Sequence, residues 1–269
     1  MTKPSIFSPV ASPSPGAVRS GSALTRPPWL SIIMPVHNEA SGIVPALIAL
    51  SPMRASGDCE VIVVDGGSTD TTRELATPLC DRCLSSNPGR ATQMNAGASQ
   101  ARGQWLLFLH ADTRLPAHVL SVLSETLVEH RECDWGRFDV DIEGDSPLLP
   151  VIATLMNLRS RLTSISTGDQ TQFVRRSTFE AIEGFPVMPL MEDIQLSVRL
   201  KRLTSPLNLS ARVTTSGRRW ETHGVCRTIL KMWGLRLAAW GGVSPVRLAR
   251  LYGYGAAAQA CEQRGLPHA

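Results

Sequence analysis

The sequence predicts an α/β fold with a central, mostly parallel sheet flanked by helices. Short apolar runs alternate with segments of helical spacing over residues 30–109, a pattern typical of βαβ units. Polar clusters follow several of these runs directly, where open α/β sheets bind ligands. The 269 residues are also enough to bury a substantial core.

The first half of the chain shows this alternation most regularly. Strands are predicted over Leu30–Val36, Val61–Val64, Arg82–Ser85 and Trp105–Leu109, and helices over Ala40–Leu50 and Ala91–Arg102. A further helix should follow the second strand, because Thr69 or Asp70 is suited to cap its start. Polar clusters at His37–Glu39, Asp65–Gly67 and His110–Asp112 therefore converge at one edge of the sheet.

The second half is less regular but remains α/β. Helices are predicted over Pro116–Arg131, Leu148–Arg161, Ser177–Ile182 and Asp193–Leu203, and strands over Trp135–Ile142, Gln172–Arg175 and Asn208–Val213. We expect a disordered leader over residues 1–28, one α/β domain over 29–220 and a helical tail over 221–269.

Both ends of the chain allow two interpretations. Residues 1–28 are rich in proline and serine and have no acidic residue, which predicts disorder; a transit peptide is the alternative. In the tail, one helical face carries Ile229, Met232, Trp233, Leu237 and Trp240, with Arg227 and Lys231 opposite. Because Arg236 falls within the apolar face, packing on the domain is favoured over a membrane surface.

Composition narrows the classes of function. The net charge of +4 is too small to indicate nucleic-acid binding by itself, and no apolar run is long enough to span a bilayer. We expect a cytoplasmic protein, with peripheral contact at the inner face of the cell membrane as a variant of that expectation. Cys80 and Cys83 form a C-x-x-C pair that fits a redox pair or half a zinc site, although chance or packing is favoured.

Four motifs occur in a fixed order, each at a predicted strand end or helix start. They are Ile33–Glu39 (IMPVHNE), Val63–Thr72 (VVDGGSTDTT), Leu109–Thr113 (LHADT) and Met191–Leu196 (MEDIQL). Together they make residues 30–220 resemble the family 2 glycosyltransferases, which have the GT-A nucleotide-diphospho-sugar transferase fold. Val243–Tyr252 is similar to the tail of a subgroup of small stand-alone bacterial members.

The resemblance implies a nucleotide-sugar donor, with the residues of 29–220 forming the catalytic domain. The implied donor-binding residues are Pro35, Val36, His37, Asn38, Glu39, Asp65, Gly66, Arg90, His110, Ala111 and Asp112. Asp65 resembles the aspartate that binds the uracil edge, which favours a UDP-sugar; alternatively it only caps a Gly-Gly turn. Arg90 lies at a predicted helix start, where phosphate is favoured, or is a solvated surface residue.

A divalent cation, Mn²⁺ or Mg²⁺, is also implied. Asp112 matches the last residue of the family's D-x-D metal motif, while His110 replaces the first aspartate. Both residues are predicted metal ligands, because a histidine can ligate an ion such as Mn²⁺; the alternative for His110 is a hydrogen bond to ribose or phosphate. A strand-end aspartate that caps a turn is the alternative for Asp112.

Asp193 matches the family's catalytic base. The acceptor hydroxyl must lose its proton as the new bond forms, and a placed carboxylate can take it. Attack from the face opposite the nucleotide would invert the anomeric centre, with Glu192 orienting the loop or binding acceptor. Alternatively, both acids only favour the positive end of their helix.

Acceptor residues are implied less directly. Gly168, Asp169 and Gln170 resemble a loop that faces the acceptor, with an ordinary turn as the alternative. Trp220 ends a segment similar to the Q-x-x-R-W motif, with Ser216 in place of glutamine. Processive members with that motif carry long membrane helices, so their absence from the sequence favours a single transfer. The acceptor is expected to be a hydroxyl compound, and a lipid, a carotenoid-like molecule, a polyprenyl compound or a small polar molecule would each suit the sequence.

Two other functions are compatible with the same fold. A sugar-phosphate nucleotidyltransferase needs a glycine-rich basic loop after the first strand, which Val36–Ala40 does not provide. A non-catalytic nucleotide-sugar or protein-binding module would not need Asp112, Asp193 and Arg90 together.

Overall fold

In the computed structural model, which describes residues 27–253, eight strands form a single sheet. The strands are β1 (Leu30–Val36), β2 (Cys59–Asp65), β3 (Arg82–Ser85), β4 (Trp105–Phe108), β5 (Thr113–Arg114), β6 (Trp135–Glu143), β7 (Gln172–Arg175) and β8 (Leu207–Ser216). Their order across the sheet is β3-β2-β1-β4-β7-β6-β8-β5.

Ten α-helices connect or follow these strands within the described residues. They are α1 (Ile43–Ala55), α2 (Thr72–Ala76), α3 (Arg90–Ser99), α4 (Val119–Glu129), α5 (Leu149–Thr163), α6 (Arg176–Ala181), α7 (Glu192–Leu200), α8 (Arg218–His223), α9 (Val225–Trp240) and α10 (Pro245–Tyr252). Two 3₁₀ turns lie at Thr77–Leu79 and Gly168–Gln170.

The sheet is parallel in its first half and mixed in its second. Strands β3, β2, β1 and β4 run parallel, as the alternating sequence pattern predicts. Strand β7 is antiparallel to both β4 and β6, whereas β6 and β8 are parallel. The short strand β5 was missed because it has only two residues, Thr113 and Arg114, which pair with β8.

Helices cover both faces of the sheet. Alternate residues of β1 enter different clusters: Ile32 packs with Leu47 of α1 and Leu123 of α4, whereas Ile33 packs with Met94 of α3. This two-residue period is expected of a strand buried on both sides. The predicted α/β architecture with flanking helices is therefore confirmed.

The tail is helical but its packing differs from the predicted face. Helix α9 buries Thr228 and Leu235 against the domain, while Trp233 is 60% exposed and Leu237 is 61% exposed. The prediction that Trp233 and Leu237 pack on the domain is wrong, because α9 is rotated to turn Leu235 inward. The predicted leader lies, apart from its last two residues, outside the described part of the chain.

Two further expectations concern membranes and metals. Among the described helices, none has both the length and the hydropathy that crossing a bilayer requires. Cys80 and Cys83 lie just before and within edge strand β3 as free thiols. Among the side chains that the structure describes, no group of three or more His, Cys, Asp or Glu could hold a metal.

We predict that Asp139→Ala lowers the free energy of unfolding by about 3–5 kcal/mol, because it leaves a buried charge without its partner. Arg137 is 1% exposed, and its guanidinium contacts the Asp139 carboxylate and donates to the carbonyl oxygen of Asn157 at 3.2 Å. Urea denaturation measures the change. The control is Asp141→Ala on the same strand, where an exposed pair with Arg212 should contribute about 1 kcal/mol or less. Equal losses for the two variants would contradict the prediction.

Candidate functional site

Two loops interlock at the carboxyl ends of β1 and β2. The amide of Asn38 donates to the Ser68 hydroxyl at 2.9 Å, and the Thr69 amide donates to the Asn38 side-chain oxygen at 2.8 Å. Asn38 adopts a left-handed φ of 54°, which asparagine tolerates better than most residues. The Asp70 carboxylate accepts from the amide of Thr72, the first residue of α2, at 3.0 Å. The first two sequence motifs are thus joined into one wall.

Asp65 is buried within its own turn. Its carboxylate accepts from the amides of Gly67 at 3.3 Å and Ser68 at 3.2 Å, and also from the Ser68 hydroxyl. The turn-capping interpretation therefore describes its contacts in this structure. A role in binding the base stays a prediction.

Gln93 of α3 was not singled out from the sequence, although it fixes the ends of two strands. Its side-chain amide donates to the carbonyl oxygens of Val36 and Val64, both at 2.8 Å. A Cβ on Gly66 would lie 2.8 Å from the Gln93 side chain, so a larger residue there would displace the Gln93 amide from the two strand ends. The Val36 side chain is buried in the core, which leaves only its backbone near the site.

A pocket beside these loops gathers residues from distant parts of the chain. It is lined by Arg90, His110, Asp112, Ile142, Thr167, Gly168, Asp169, Leu190, Met191, Glu192, Asp193, Ile194, Thr215, Ser216, Trp220, Met232 and Leu235. Eight of the predicted site residues are in this lining: Arg90, His110, Asp112, Gly168, Asp169, Glu192, Asp193 and Trp220. The pocket joins the third and fourth motifs with the predicted acceptor loop.

The loop Gly168–Gln170 bridges the two sides of the pocket. The Gly168 amide donates to Asp193 Oδ2 at 2.7 Å, and Asp169 Oδ1 lies 3.6 Å from His110 Nδ1. A Cβ on Gly168 would collide with the His110 ring. Gln170 is fully buried, and its side-chain amide donates to Asn157 at 3.3 Å. Its side chain therefore supports the loop and does not face the pocket.

Glu192 and Asp193 are adjacent carboxylates in different surroundings. Both begin α7, after Met191 with a left-handed φ of 67°. Glu192 is 5% exposed, and burial, reinforced by the charge of Asp193, raises its pKa to about 6. The charge of Arg90 opposes this rise. Asp193 is only half-buried, so its carboxylate is the one accessible from the pocket.

We predict that Glu192→Gln removes part of the pH dependence of stability. Because the pKa of Glu192 is raised in the folded state, the folded protein holds this proton more tightly than the unfolded chain does. The free energy of unfolding therefore falls as pH rises from about 4.5 through 6, by about 2 kcal/mol from this group. Chemical denaturation at pH 4.5 and pH 7 measures the change. Between these two pH values, the free energy of unfolding of wild type should fall by about 2 kcal/mol more than that of Glu192→Gln. Parallel pH profiles for the two proteins would contradict the prediction.

A charged cluster adjoins the pocket on the β1 side. Burial raises the pKa of Glu39 and Asp112 adds to the rise, while Arg218 and Arg90 lower it. Arg218 of α8 lies 4.0 Å from the Glu39 carboxylate. It was missed as a site residue, although it lies within the S-G-R-R-W segment noted in the sequence.

The remaining donor-site predictions lie on the β1 side or at the β4 end. His37 and Asn38 are exposed, and Pro35 and Ala111 are half-buried. Asp112 is exposed, and its backbone carbonyl accepts from the Ser216 amide at 3.1 Å. Its carboxylate is therefore open to a ligand.

Six side chains of the pocket lining are apolar, and we call them the apolar wall. They are Ile142, Leu190, Ile194, Trp220, Met232 and Leu235; the last two are from α9, and Ile142 and Trp220 belong to the cluster that packs on the start of α9. Strand and helix patterns carry no signal for this wall, because it depends on how the tail folds back on the sheet. The pocket can therefore hold a ligand with a charged part near His110 and Asp112 and an apolar part near α9.

The sequence comparisons identify relatives. The family model described as "Glycosyl transferase family 2" matches residues 31–182. A Mycobacterium bovis protein named "PGL/p-HBAD biosynthesis glycosyltransferase" is 36% identical over 121 residues, which cover 42% of this chain and 47% of that protein. Glycosyltransferase AglE of Haloferax volcanii is 34% identical over 93 residues, 32% of this chain and 31% of that protein. The chain thus spans about half or less of the length of these curated relatives.

Solved structures share the fold at low identity. TarS 1–349 of S. aureus in complex with UDP-GlcNAc superposes with a TM-score of 0.57 at 21% identity, covering 70% of this chain and 58% of that chain. Mannosyltransferase PcManGT from Pyrobaculum calidifontis, in complex with GDP-Man and Mn²⁺, gives 0.54 at 20% identity, covering 71% and 57%. The predicted GT-A fold is confirmed by this likeness.

Proposed function

Because this chain belongs to glycosyl transferase family 2, we propose that it moves a sugar from a nucleotide-diphosphate donor to a hydroxyl acceptor, with inversion and one transfer per acceptor. The observation that carries the proposal is that Asp112 and Asp193, from separate motifs, line one pocket. A donor phosphate site and a base for the acceptor are the two elements that such a transfer needs.

The donor would bind between the interlocked loops and the pocket. Arg90 begins α3, so both its charge and the helix amides favour phosphate. A UDP-sugar is favoured by Asp65, which ends β2 beside the loops. The structural neighbours bind UDP-GlcNAc in one case and GDP-Man in another, so nucleotide-sugar binding has support while the base remains part of the proposal.

The donor set at His110 and Asp112 fits a divalent cation shared with the donor. One imidazole and one exposed carboxylate supply too few ligands for a closed protein site, but Mg²⁺ and Mn²⁺ in such sites are completed by substrate phosphates and water. A bound cation would neutralise charge on the leaving diphosphate. The structure of PcManGT is described in complex with Mn²⁺, which supports a divalent cation here.

Asp193 is the proposed base. Its carboxylate reaches the pocket while the Gly168 amide holds one oxygen, so its orientation is set before an acceptor arrives. It would take the proton of the acceptor hydroxyl as that oxygen attacks the anomeric carbon. Glu192, buried beneath, would fix the start of α7 rather than contact the reacting atoms.

The acceptor would lie against the apolar wall. Trp220, Met232 and Leu235 offer no charged group to a ligand, so we propose a hydroxyl carried by a largely apolar molecule such as a lipid or carotenoid-like compound. We propose that residues 29–220 carry out catalysis and that the tail from residue 221 completes the apolar wall. We also propose that the protein acts in the cytoplasm, at the inner face of the cell membrane.

A thermal-shift titration with UDP and GDP, each with and without Mn²⁺, tests the donor site. Nucleotide at about 100 times its dissociation constant stabilises a folded protein by about 2.7 kcal/mol. We expect Mn²⁺-dependent stabilisation by UDP. Folded protein that responds to neither nucleotide would favour a non-catalytic protein-binding module instead.

A further inference from the structure

Exposed large apolar side chains are concentrated in one part of the described chain. Ten of fourteen lie on or beside α5, α9 and α10: Leu148, Val151, Leu155, Leu158, Leu162, Leu230, Trp233, Leu237, Val243 and Leu251. Such clustering marks an interaction surface rather than ordinary scatter. We call the first five the α5 stripe and the set Leu230, Trp233 and Leu237 the α9 stripe.

The α5 stripe is the outer side of a helix whose inner side is packed. Its members recur at intervals of three and four residues, which puts them on one face, and they are 47–76% exposed. The opposite face buries Leu149, Ile152 and Ala153, which pack with Val225 and Ile229 at the start of α9. The two helices therefore belong to one layer of the molecule.

Helix α9 is apolar on two sides. Met232 and Leu235 face the pocket, while the α9 stripe is exposed by 60–73%. Arg227 and Lys231 are exposed on the same helix. An exposed tryptophan beside leucines and basic residues is the composition of a helix that lies in a membrane interface.

The segments that carry the apolar stripes also have more basic than acidic residues. Residues 218–253 contain seven Lys and Arg but one acidic residue, and residues 148–163 contain two Arg and no acidic residue. The whole chain has 27 basic and 23 acidic residues, so the remaining residues are net negative. The apolar stripes thus lie in segments with an excess of basic residues. Arg161 is paired with Asp139 at 2.7 Å and Arg218 lies 4.0 Å from Glu39, whereas Arg227 and Lys231 are exposed on α9.

This charge distribution favours an anionic lipid surface over a second copy of the chain or residues 1–26 as the partner of the two stripes. A second copy would bring the same basic segments against each other, and residues 1–26 carry three basic and no acidic residues. The α5 stripe also spans only two heptads, short of a sustained coiled-coil repeat. Anionic lipid headgroups complement the basic side chains, and the acyl region accepts the apolar ones.

We propose that the α5 and α9 stripes dock this protein on an anionic lipid bilayer. This docking surface is inferred only from its exposure and charge. Its consequence, that an apolar acceptor passes from the bilayer to the pocket along α9, rests on the proposed function. Helix α9 then has one face on the lipid and the other, through Met232 and Leu235, on the pocket.

Vesicle flotation with the full chain tests the proposal. We expect binding to phosphatidylcholine vesicles containing about 30% phosphatidylglycerol, weaker binding without the anionic lipid, and loss on addition of salt. The triple variant Leu230→Gln, Trp233→Gln, Leu237→Gln and the double variant Leu155→Gln, Leu158→Gln should each lower the partition coefficient about tenfold or more. The control is Ile48→Gln with Val128→Gln, two residues 55% and 62% exposed on α1 and α4, which should bind as wild type.

Three outcomes would overturn the docking surface. They are failure of the wild type to bind anionic vesicles, full binding by either stripe variant, and a solution dimer that Leu155→Gln, Leu158→Gln dissociates in sedimentation velocity. UDP stabilisation of the same preparations is measured in parallel. If it persists while vesicle binding fails, the docking surface is wrong and the proposed function stands.

Discussion

Asp193→Asn is expected to lower the rate of sugar transfer by about 10²–10⁴-fold, because an amide cannot take the proton of the acceptor hydroxyl. Stabilisation by UDP should persist, since the substitution leaves the loops beside β1 and β2 unchanged. The asparagine side-chain oxygen can still accept one hydrogen bond, from the Gly168 or Ile194 amide that now bonds Asp193. Turnover of donor with acceptor and thermal shift with UDP are measured on one preparation.

The matched control for this change is Asp58→Asn, an exposed aspartate just before β2 and away from the pocket. It should transfer sugar at the wild-type rate. A folded Asp193→Asn protein that keeps most of its transfer rate would remove Asp193 from the role of base. It would leave Asp193 as a residue that only orders the Gly168 loop.

Asp112→Ala is expected to abolish the Mn²⁺-dependent part of UDP binding. The Asp112 carboxylate is exposed in the pocket and, with His110, supplies the protein ligands of the proposed cation. With UDP at about 100 times the wild-type dissociation constant, the stabilisation of about 2.7 kcal/mol should fall close to its metal-free value. Asp145→Ala, an exposed aspartate outside the pocket, is the control. Unchanged Mn²⁺ dependence in Asp112→Ala would show that the cation is held elsewhere.

The parts of the fold that could be predicted are those that depend on the local order of apolar and polar residues. Strands β1, β3 and β7 were placed with their observed bounds. Strand β1 is an apolar run followed by a polar cluster, which is the local pattern of a buried parallel strand. Pairing in the second half depends on contacts far apart in sequence, so the antiparallel position of β7 between β4 and β6 could not be foreseen. The two-residue β5 had no pattern of its own.

The candidate site divides in the same way. Arg90, Asp112 and Asp193 were found because each lies in a short motif at a strand end or helix start, and the structure brings all three to one pocket. Side-chain direction was less accessible: Gln170 was named from its loop, but its amide turns inward to Asn157. The burial of Leu235 was missed because a helix with apolar residues on two sides does not show from sequence which side packs.

Because α9 lines the pocket, the pocket is formed by two separate parts of the chain, the sheet-containing part and the tail. The acidic residues come from the loop after β4, the Gly168 turn and the start of α7, whereas Met232 and Leu235 come from a helix that follows the last strand. Under the proposed function, substitutions in the tail could alter which acceptor is used and leave the donor and base in place. Differences in acceptor specificity among related chains would then be concentrated after residue 220. In chimaeras joined at that residue, the tail should determine the acceptor, and the part that contains the sheet should determine the nucleotide.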